Sequence, residues 1–231
     1  MIRLPIESTL SIQPFSNQKT VRIYFTNMPH WRQEGCSYFI TYRMADSIPA
    51  RVLKHWETEK VHWLSLHGIN VEKWPEGFVL LPPEKQRQFL KHFNRKLNSY
   101  LDEGHGSSVL RASSCQRIIL KGWQHFDGIR YQLGDLVVMP NHVHLLLTPL
   151  PGQELTDILQ SRKRQSAREL NLHLNRSGDF WQKHSHDHIV RNEVELKALR
   201  KYIADNPAKA GLKPGESLHR SFDWQSKPSE A

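Results

Sequence analysis

The sequence predicts an α+β protein built on a ferredoxin-like antiparallel sheet with packed helices and an inserted helical segment at about residues 51–81. Short segments of alternating apolar residues predict strands, and longer segments with apolar residues three and four apart predict helices. The two kinds of element follow one another along a chain of 231 residues, of which 38% are hydrophobic. This is enough apolar material for one packed domain.

Strands are predicted at 37–43, 129–138, 143–148 and 180–190. The break at Pro140 and Asn141 predicts that the second and third strands are antiparallel neighbours.

Helical spacing predicts helices at 51–67, 82–103, 114–126, 154–174 and 193–204, with Asn206 and Pro207 ending the last one. We divide the chain into an N-terminal extension at 1–34, a folded domain at 35–212 and a polar C-terminal tail at 213–231.

Charge and composition narrow the class of protein. Lys and Arg number 32 against 23 Asp and Glu, so the formal charge is +9, which favours a polyanionic partner such as nucleic acid. Apolar runs are far shorter than the ~20 residues of a membrane span, and the N-terminus does not resemble a secretion signal. Two cysteines exclude a disulfide framework. We therefore expect a soluble cytoplasmic protein without a membrane partner.

The most informative segment is M-P-N-H-V-H-L-L-L at 139–147. Residues two apart on a strand project from the same face, so the side chains of His142 and His144 can bind one divalent ion. Their place near the start of the strand predicts that solvent reaches them. Two half-buried histidines held by hydrogen bonds are the alternative.

A second pair, Tyr202 and Asn206, has the i, i+4 spacing that brings side chains together on a helix. A tyrosine phenol can attack phosphorus, and an amide oxygen is a suitable ligand for Mg²⁺ or Mn²⁺. The alternative is a packing tyrosine and an asparagine that caps the helix.

Four motifs resemble the single-tyrosine HUH transposases in sequence and order: M-P-N-H-V-H-L-L-L, F-W-Q-K at 180–183, D-H-I-V-R-N at 187–192 and Y-I-A-D-N-P-A-K-A-G-L at 202–212. Within that superfamily the chain most resembles the REP-associated tyrosine transposases of bacteria. The segment Y-F-I-T-Y-R-M-A-D-S-I-P at 38–49 also resembles that family, so the similarity covers about residues 35–212.

The resemblance implies that residues 35–212 form an HUH nuclease domain that cuts single-stranded or hairpin DNA from repetitive extragenic palindromes. His142 and His144 match the ligands of Mg²⁺ or Mn²⁺, and Tyr202 matches the nucleophile that becomes joined to a 5′ phosphate. Asn206 stands where related enzymes often have glutamine as a third ligand. Such an enzyme needs no nucleotide cofactor and works as a monomer or a homodimer.

Further residues are candidates for supporting roles. The basic side chains of Arg162, Lys163, Arg164, Arg168 and Arg191 are predicted to contact DNA, with a solvated helix face as the alternative. His188 is a candidate supporting residue because it lies in the family-like D-H-I-V-R segment.

Three other functions fit parts of the sequence. A non-catalytic DNA-binding protein derived from such a transposase would need only the positive charge. A zinc hydrolase could use His142, His144 and one histidine of the H-S-H-D-H segment at 184–188, and would act without Tyr202. An RNA-processing nuclease is the third alternative.

Overall fold

The computed structural model describes residues 15–16, 18–26 and 28–221 of the chain. The part of the extension before residue 15, residues 17 and 27, and the tail after residue 221 therefore lie outside the described residues. The strands in the described part are β1 Arg22–Phe25, β2 Pro29–Arg32, β3 Tyr38–Arg43, β4 Tyr131–Val138, β5 His142–Pro149, β6 His186–Ile189 and β7 Leu218–Arg220. The helices are α1 Ala50–Leu66, α2 Trp74–Leu80, α3 Pro83–Asp102, α4 Ser113–Gln124, α5 Leu155–His173 and α6 Glu193–Lys209.

The main sheet is antiparallel and has the strand order β6-β3-β5-β4-β7. Along the chain, β3, α4, β4, β5, α5 and β6 follow the β-α-β-β-α-β order of a ferredoxin-like unit. The predicted α+β class with a ferredoxin-like sheet is therefore confirmed, and so is the antiparallel pairing of β4 with β5.

The two faces of the sheet carry different layers. Alternation along β3 directs Ile40 and Tyr42 into a large core with α4 and α5, where they meet buried residues such as Trp123 and Ile158. The opposite face carries Phe39, which packs against α6. Since His144 is the cross-strand neighbour of Thr41, the residue two places after Phe39, the histidine pair lies on this second face.

Three helices, α1 to α3, stand between β3 and α4 and lie outside the β-α-β-β-α-β unit. They have a small core of their own, formed by Leu64, Ile69, Phe78 and Phe89. The helical segment outside the unit thus includes α3 in addition to the predicted residues 51–81. The C-terminal end of α3 provides one residue of the site described below.

Several elements differ from the sequence expectations. The strand predicted at 180–190 is ordered as a strand only at His186–Ile189. Helix α6 does not end at Asn206 and Pro207 but continues to Lys209. Proline removes one backbone donor, but this close to the helix end few hydrogen bonds remain to be lost, and the amide of Ala210 still donates to the Asn206 carbonyl.

The two ends of the described chain also contribute strands. Within the predicted extension, β1 and β2 form a hairpin. Within the predicted polar tail, β7 pairs with β4 and becomes an edge of the main sheet. In the described part of the chain, none of the helices combines the length and apolar character that a membrane-spanning helix requires.

Candidate metal and nucleophile site

The two histidines of β5 point toward one another at the start of the strand. Their Nε2 atoms are 2.9 Å apart, and both side chains are completely buried. The prediction that the two share one strand face is therefore consistent with the structure, whereas the prediction that solvent reaches them is wrong. The side of α6 provides Tyr202 to this face, which the sequence analysis had named, and the end of α3 provides Asp102, which it had not.

Each histidine ring is held through its other nitrogen. His142 Nδ1 is 2.7 Å from the Asn141 side-chain oxygen, and His144 Nδ1 is 2.7 Å from the Thr41 hydroxyl. When each Nδ1 donates its hydrogen in these bonds, the Nε2 lone pairs face the space between the rings. Hydrogen bonds of this kind orient metal-ligating histidines in proteins.

Asp102 is the third member of the cluster and was missed by the sequence reasoning. Its Oδ1 lies 3.8 Å from His142 Nε2, and ligand atoms of Asp102, His142 and His144 all lie within 4.8 Å of one another. A signal was present: Asp102 is the last residue of α3, where the helix dipole disfavours a carboxylate. The unfavourable position of the carboxylate does not show that Asp102 lies beside His142 and His144, because these residues come from a distant strand.

The i, i+4 spacing predicted that Tyr202 and Asn206 share a helix face, and α6 brings Tyr202 beside His144. The Tyr202 phenol oxygen is 3.5 Å from His144 Nε2, and its ring packs edge-on against Phe39. Asn206 is completely buried, and neither atom of its amide has a hydrogen bond of normal geometry. An unpaired buried amide is energetically costly. The Asn206 amide can therefore gain stability by binding a ligand at this face of the sheet.

Two basic residues of α6 contribute to the position of Tyr202. Arg200 Nε donates to the buried Asp135 carboxylate of β4 at 2.8 Å, which ties the helix to the sheet. The ammonium group of Lys209 lies 5.5 Å from the centre of the Tyr202 ring. The sequence reasoning gave Lys209 no role, although it lies two turns from Tyr202 on the same helix face.

Burial controls the charges of the cluster. It lowers the pKa of His142 to about 3 and lowers the pKa of His144 well below its usual value, so both rings are neutral near pH 7. Burial raises the pKa of Asp102 to about 6, with smaller opposing effects from Asn206 and Lys209. Burial also raises the pKa of the Tyr202 phenol, and the nearby Asp102 charge adds to this effect. Neutral imidazoles are the form that binds metals.

The donor set fits a divalent cation. Nitrogens bound to one ion at about 2.1 Å and at right angles lie about 3 Å apart, and the observed separation of the histidine nitrogens is 2.9 Å. Asp102 Oδ1 and both amide atoms of Asn206 are buried without a hydrogen bond of normal geometry, and Asn206 lies close enough to Asp102 to influence its pKa. Two imidazoles with carboxylate and amide oxygens suit Mn²⁺ and Mg²⁺. The structure thus brings together His142, His144 and Asn206 and adds Asp102.

The histidines at 184–188 do not join this cluster. In the part of the chain that the structure describes, the group close enough to hold one ion is Asp102, His142 and His144. His184 is exposed, His186 lies across from Thr41 in the sheet, and His188 Nε2 is 2.9 Å from Glu195. The arrangement needed for a zinc hydrolase that uses one of them is therefore absent from the described residues.

The predicted DNA-contacting cations have unequal surroundings. Arg162 is buried, lies over the Phe126 ring and donates to the Gly122 carbonyl, so it has a packing role. Lys163 donates to the carbonyls of Gln182 and Lys183. By contrast, the side chains of three of the predicted residues are exposed: Arg164, Arg168 and Arg191. Arg164 and Arg168 line a shallow concave surface on α5 together with Arg130.

A comparison with protein families agrees with the sequence motifs. Residues 112–206 match the family model described as IS200-like transposase. The match runs from just before α4 to Asn206, so it contains His142, His144 and Tyr202, and it confirms the resemblance to the single-tyrosine transposases. It supports a transposase-like function that acts on DNA. No curated protein sequence matches the chain.

Two solved structures are similar to this chain. One is a REP-associated tyrosine transposase bound to a REP hairpin, with 16% identity and a TM-score of 0.41, covering 82% of this chain and 76% of that one. The other is a putative transposase from Deinococcus radiodurans R1, with 18% identity and a TM-score of 0.30, covering 74% of this chain and 89% of that one.

Proposed function

Because the chain resembles the IS200-like transposases in the segment that carries the histidine pair and Tyr202, we propose that it is a metal-dependent single-stranded DNA endonuclease and strand transferase. Its substrate is hairpin DNA of the repetitive extragenic palindrome type, and the reaction passes through a 5′-phosphotyrosine at Tyr202. The observation that carries this proposal is the 3.5 Å separation between the Tyr202 phenol and His144 Nε2, which itself lies 2.9 Å from His142 Nε2.

One group of side chains would bind the metal ion, and Tyr202 attacks the phosphate. His142, His144, Asp102 and Asn206 would hold Mg²⁺ or Mn²⁺, and the bound ion would act as a Lewis acid toward the scissile phosphate. The Tyr202 oxygen forms a bond to phosphorus while the bond from phosphorus to the 3′ oxygen breaks. The products are a 5′-phosphotyrosine and a free 3′ hydroxyl. Since the energy of the phosphodiester is kept, a second 3′ hydroxyl can reverse the step without a nucleotide cofactor.

The phenol proton needs an acceptor when Tyr202 attacks. The nearest ring nitrogen is His144 Nε2, but burial lowers the pKa of His144, and its Nε2 lone pair would be needed to hold the metal. We therefore assign the proton to solvent, which reaches the half-buried Tyr202. A proton from solvent then neutralises the departing 3′ oxygen, so that the step balances. Lys209 beside the Tyr202 ring favours the developing negative charge.

The direct test is a denaturing gel of the protein with labelled hairpin DNA from repeats of its own genome, with Mn²⁺ or with a chelator. A heat-stable protein–DNA band that requires Mn²⁺ is the expected result. A native-gel shift that is insensitive to chelator, with no covalent band in any divalent ion, would instead support a non-catalytic DNA-binding protein. Stronger binding to a matched RNA hairpin would favour RNA processing.

Replacement of Asp102 by asparagine should weaken the binding of Mn²⁺ to the DNA-free protein by at least about 10-fold, since even residues that only support a metal ligand contribute about 10- to 100-fold. The substitution keeps the shape of the side chain but removes the negative charge beside His142. Isothermal titration calorimetry with Mn²⁺ measures the effect. The matched control is Glu103→Gln, which removes an exposed carboxylate one residue later. Equal Mn²⁺ affinities of Asp102→Asn and wild type would remove Asp102 from the ligand set.

DNA affinity should fall steeply with salt, because phosphate contacts release counterions. Four such contacts would cost about 100-fold in affinity between about 50 and 200 mM salt.

The exposed pair Arg164 and Arg168 is our candidate for two of the phosphate contacts, so replacing both by glutamine should lower the salt slope by about two. Fluorescence anisotropy at several salt concentrations measures the slope. A flat response in wild type would contradict the proposed DNA surface.

A further inference from the structure

A groove of about 470 Å³ opens on the histidine-bearing face of the sheet. Its walls are α1 and α3 on one side and the segment around residues 182–186 on the other, and Thr41 contributes to its floor. The Thr41 hydroxyl is the group that holds His144 Nδ1 at 2.7 Å. Thr41 therefore separates the groove from His144, and the groove lies next to the site of the proposed DNA cleavage.

One wall of the groove is apolar and aromatic. Trp56 of α1 and Phe93 of α3 line it, and both side chains are only partly buried. The Trp56 ring packs edge-on against the Tyr100 ring, with ring centres 5.6 Å apart. Partly exposed aromatic rings in a concave site offer the kind of surface on which unpaired nucleobases stack.

The floor of the groove carries positive charge. Arg43 lines the groove and is the cross-strand neighbour of His142, and its side chain donates a hydrogen bond to the Ser47 hydroxyl at 3.2 Å. Among the described residues that line the groove, Glu57 alone carries a carboxylate, and it is paired with Lys60 at 2.7 Å. Arg43 is thus a half-buried cation, and among the described residues no carboxylate contributes to its electrostatic surroundings.

A second cation lies behind the wall around residues 182–186. Lys163 donates to the carbonyls of Gln182 and Lys183 and to the Ser185 hydroxyl, and none of these partners is charged negatively. Burial, with a smaller contribution from Arg43, lowers the pKa of Lys163 to about 8. Half-buried cations without carboxylates are unfavourable by themselves, and an anion bound beside Arg43 would reduce that cost.

We propose that this groove binds an unpaired nucleotide of the DNA strand, with its base on Trp56 and Phe93 and its phosphate beside Arg43. The inference rests on the proposed function, because it takes single-stranded DNA as the substrate. It adds that the helices inserted between β3 and α4 form part of the DNA site and hold an unpaired nucleotide close to the metal cluster. A strand seated here would continue directly toward the His142 side of the metal site.

The test measures fluorescence anisotropy with two hairpin oligonucleotides that each carry a single-stranded extension of about ten nucleotides. One extension has normal bases, and in the other every nucleoside of the extension is abasic. Trp56→Leu should weaken binding of the normal oligonucleotide by roughly 5- to 100-fold and leave binding of the abasic one unchanged. Arg43→Gln should weaken binding of both and lower the salt slope by about one.

Arg117→Gln removes an exposed arginine from α4 and serves as the matched control for Arg43→Gln. Thermal unfolding followed by circular dichroism identifies a variant that fails to fold, and Phe93→Leu then replaces Trp56→Leu as the test of stacking. The proposal would be overturned if both aromatic variants bound the normal oligonucleotide as tightly as wild type does. It would also be overturned if the variants lost the same affinity for the abasic oligonucleotide as for the normal one.

The covalent gel separates this outcome from the failure of the proposed function. A Tyr202–DNA band with unaltered binding in the groove variants would refute the groove alone. Base-dependent weakening by Trp56→Leu in a protein that never forms the band would support the groove and refute the nuclease.

Discussion

Tyr202→Phe is expected to abolish the covalent protein–DNA band, with a loss of more than about a thousandfold in the rate of its formation. The substitution removes only the phenol oxygen. The ring would keep its edge-on contacts with Phe39 and His144, so the face between α6 and the sheet remains packed. We therefore expect DNA affinity within about twofold of wild type, since phosphate contacts dominate affinity.

The measurement combines a denaturing gel for the adduct with anisotropy for binding. Tyr100→Phe is the control, because it removes a phenol oxygen from α3 and should form the band as wild type does. Persistent DNA cleavage in Tyr202→Phe would show that water rather than tyrosine attacks the phosphate. In that case the cluster of Asp102, His142 and His144 would belong to a hydrolytic metal enzyme.

Asp187→Ala is expected to lower the free energy of unfolding by about 3–5 kcal/mol. Asp187 of β6 is buried and accepts hydrogen bonds from Arg32 at 2.8 Å and His30 at 2.9 Å, both from β2. Without the carboxylate, the buried guanidinium of Arg32 keeps its charge but loses its counter-ion. Urea unfolding followed by circular dichroism measures the change.

Glu84→Gln is the control, because it breaks an exposed ion pair with Arg87 and should leave the unfolding midpoint unchanged. The double variant Arg32→Met with Asp187→Leu should recover most of the lost stability, since apolar residues can replace a buried ion pair. A loss smaller than about 1 kcal/mol in Asp187→Ala would mean that the β1–β2 hairpin is not tied to the sheet through this pair.

The same carboxylate predicts a dependence of stability on pH. Burial raises the pKa of Asp187, but the hydrogen bonds and charges of Arg32 and His30 outweigh it and hold the pKa well below its usual range. In the unfolded chain the pKa is about 3.9. The unfolded state therefore binds more protons in mild acid, so this stabilisation is complete above about pH 5 and is lost as the pH falls through 4 and below. Urea unfolding between about pH 3 and 6 should show a shallower loss in Asp187→Ala than in wild type.

Local sequence patterns predicted most of the ferredoxin-like unit. The alternation around Ile40 and the break at Pro140 predicted β3, β4 and β5, and the spacing of apolar residues predicted α1, α3, α4, α5 and α6. The short strands β1, β2 and β7 were missed. A segment of three or four residues has too few positions to show a period, and its strand conformation depends on the neighbour with which it pairs.

Within the candidate site, sequence alone determined what depends on spacing within one element. His142 and His144 share a strand face because they are two apart, and Tyr202 and Asn206 share a helix face because they are four apart. The tertiary structure decided what depends on contacts between elements: the burial of the histidine pair, the approach of Asp102, the packing of Arg162 on Phe126 and the groove beneath α1 and α3. The physical reason is that the backbone period sets the direction of a side chain, whereas only the packing of distant segments sets what it meets.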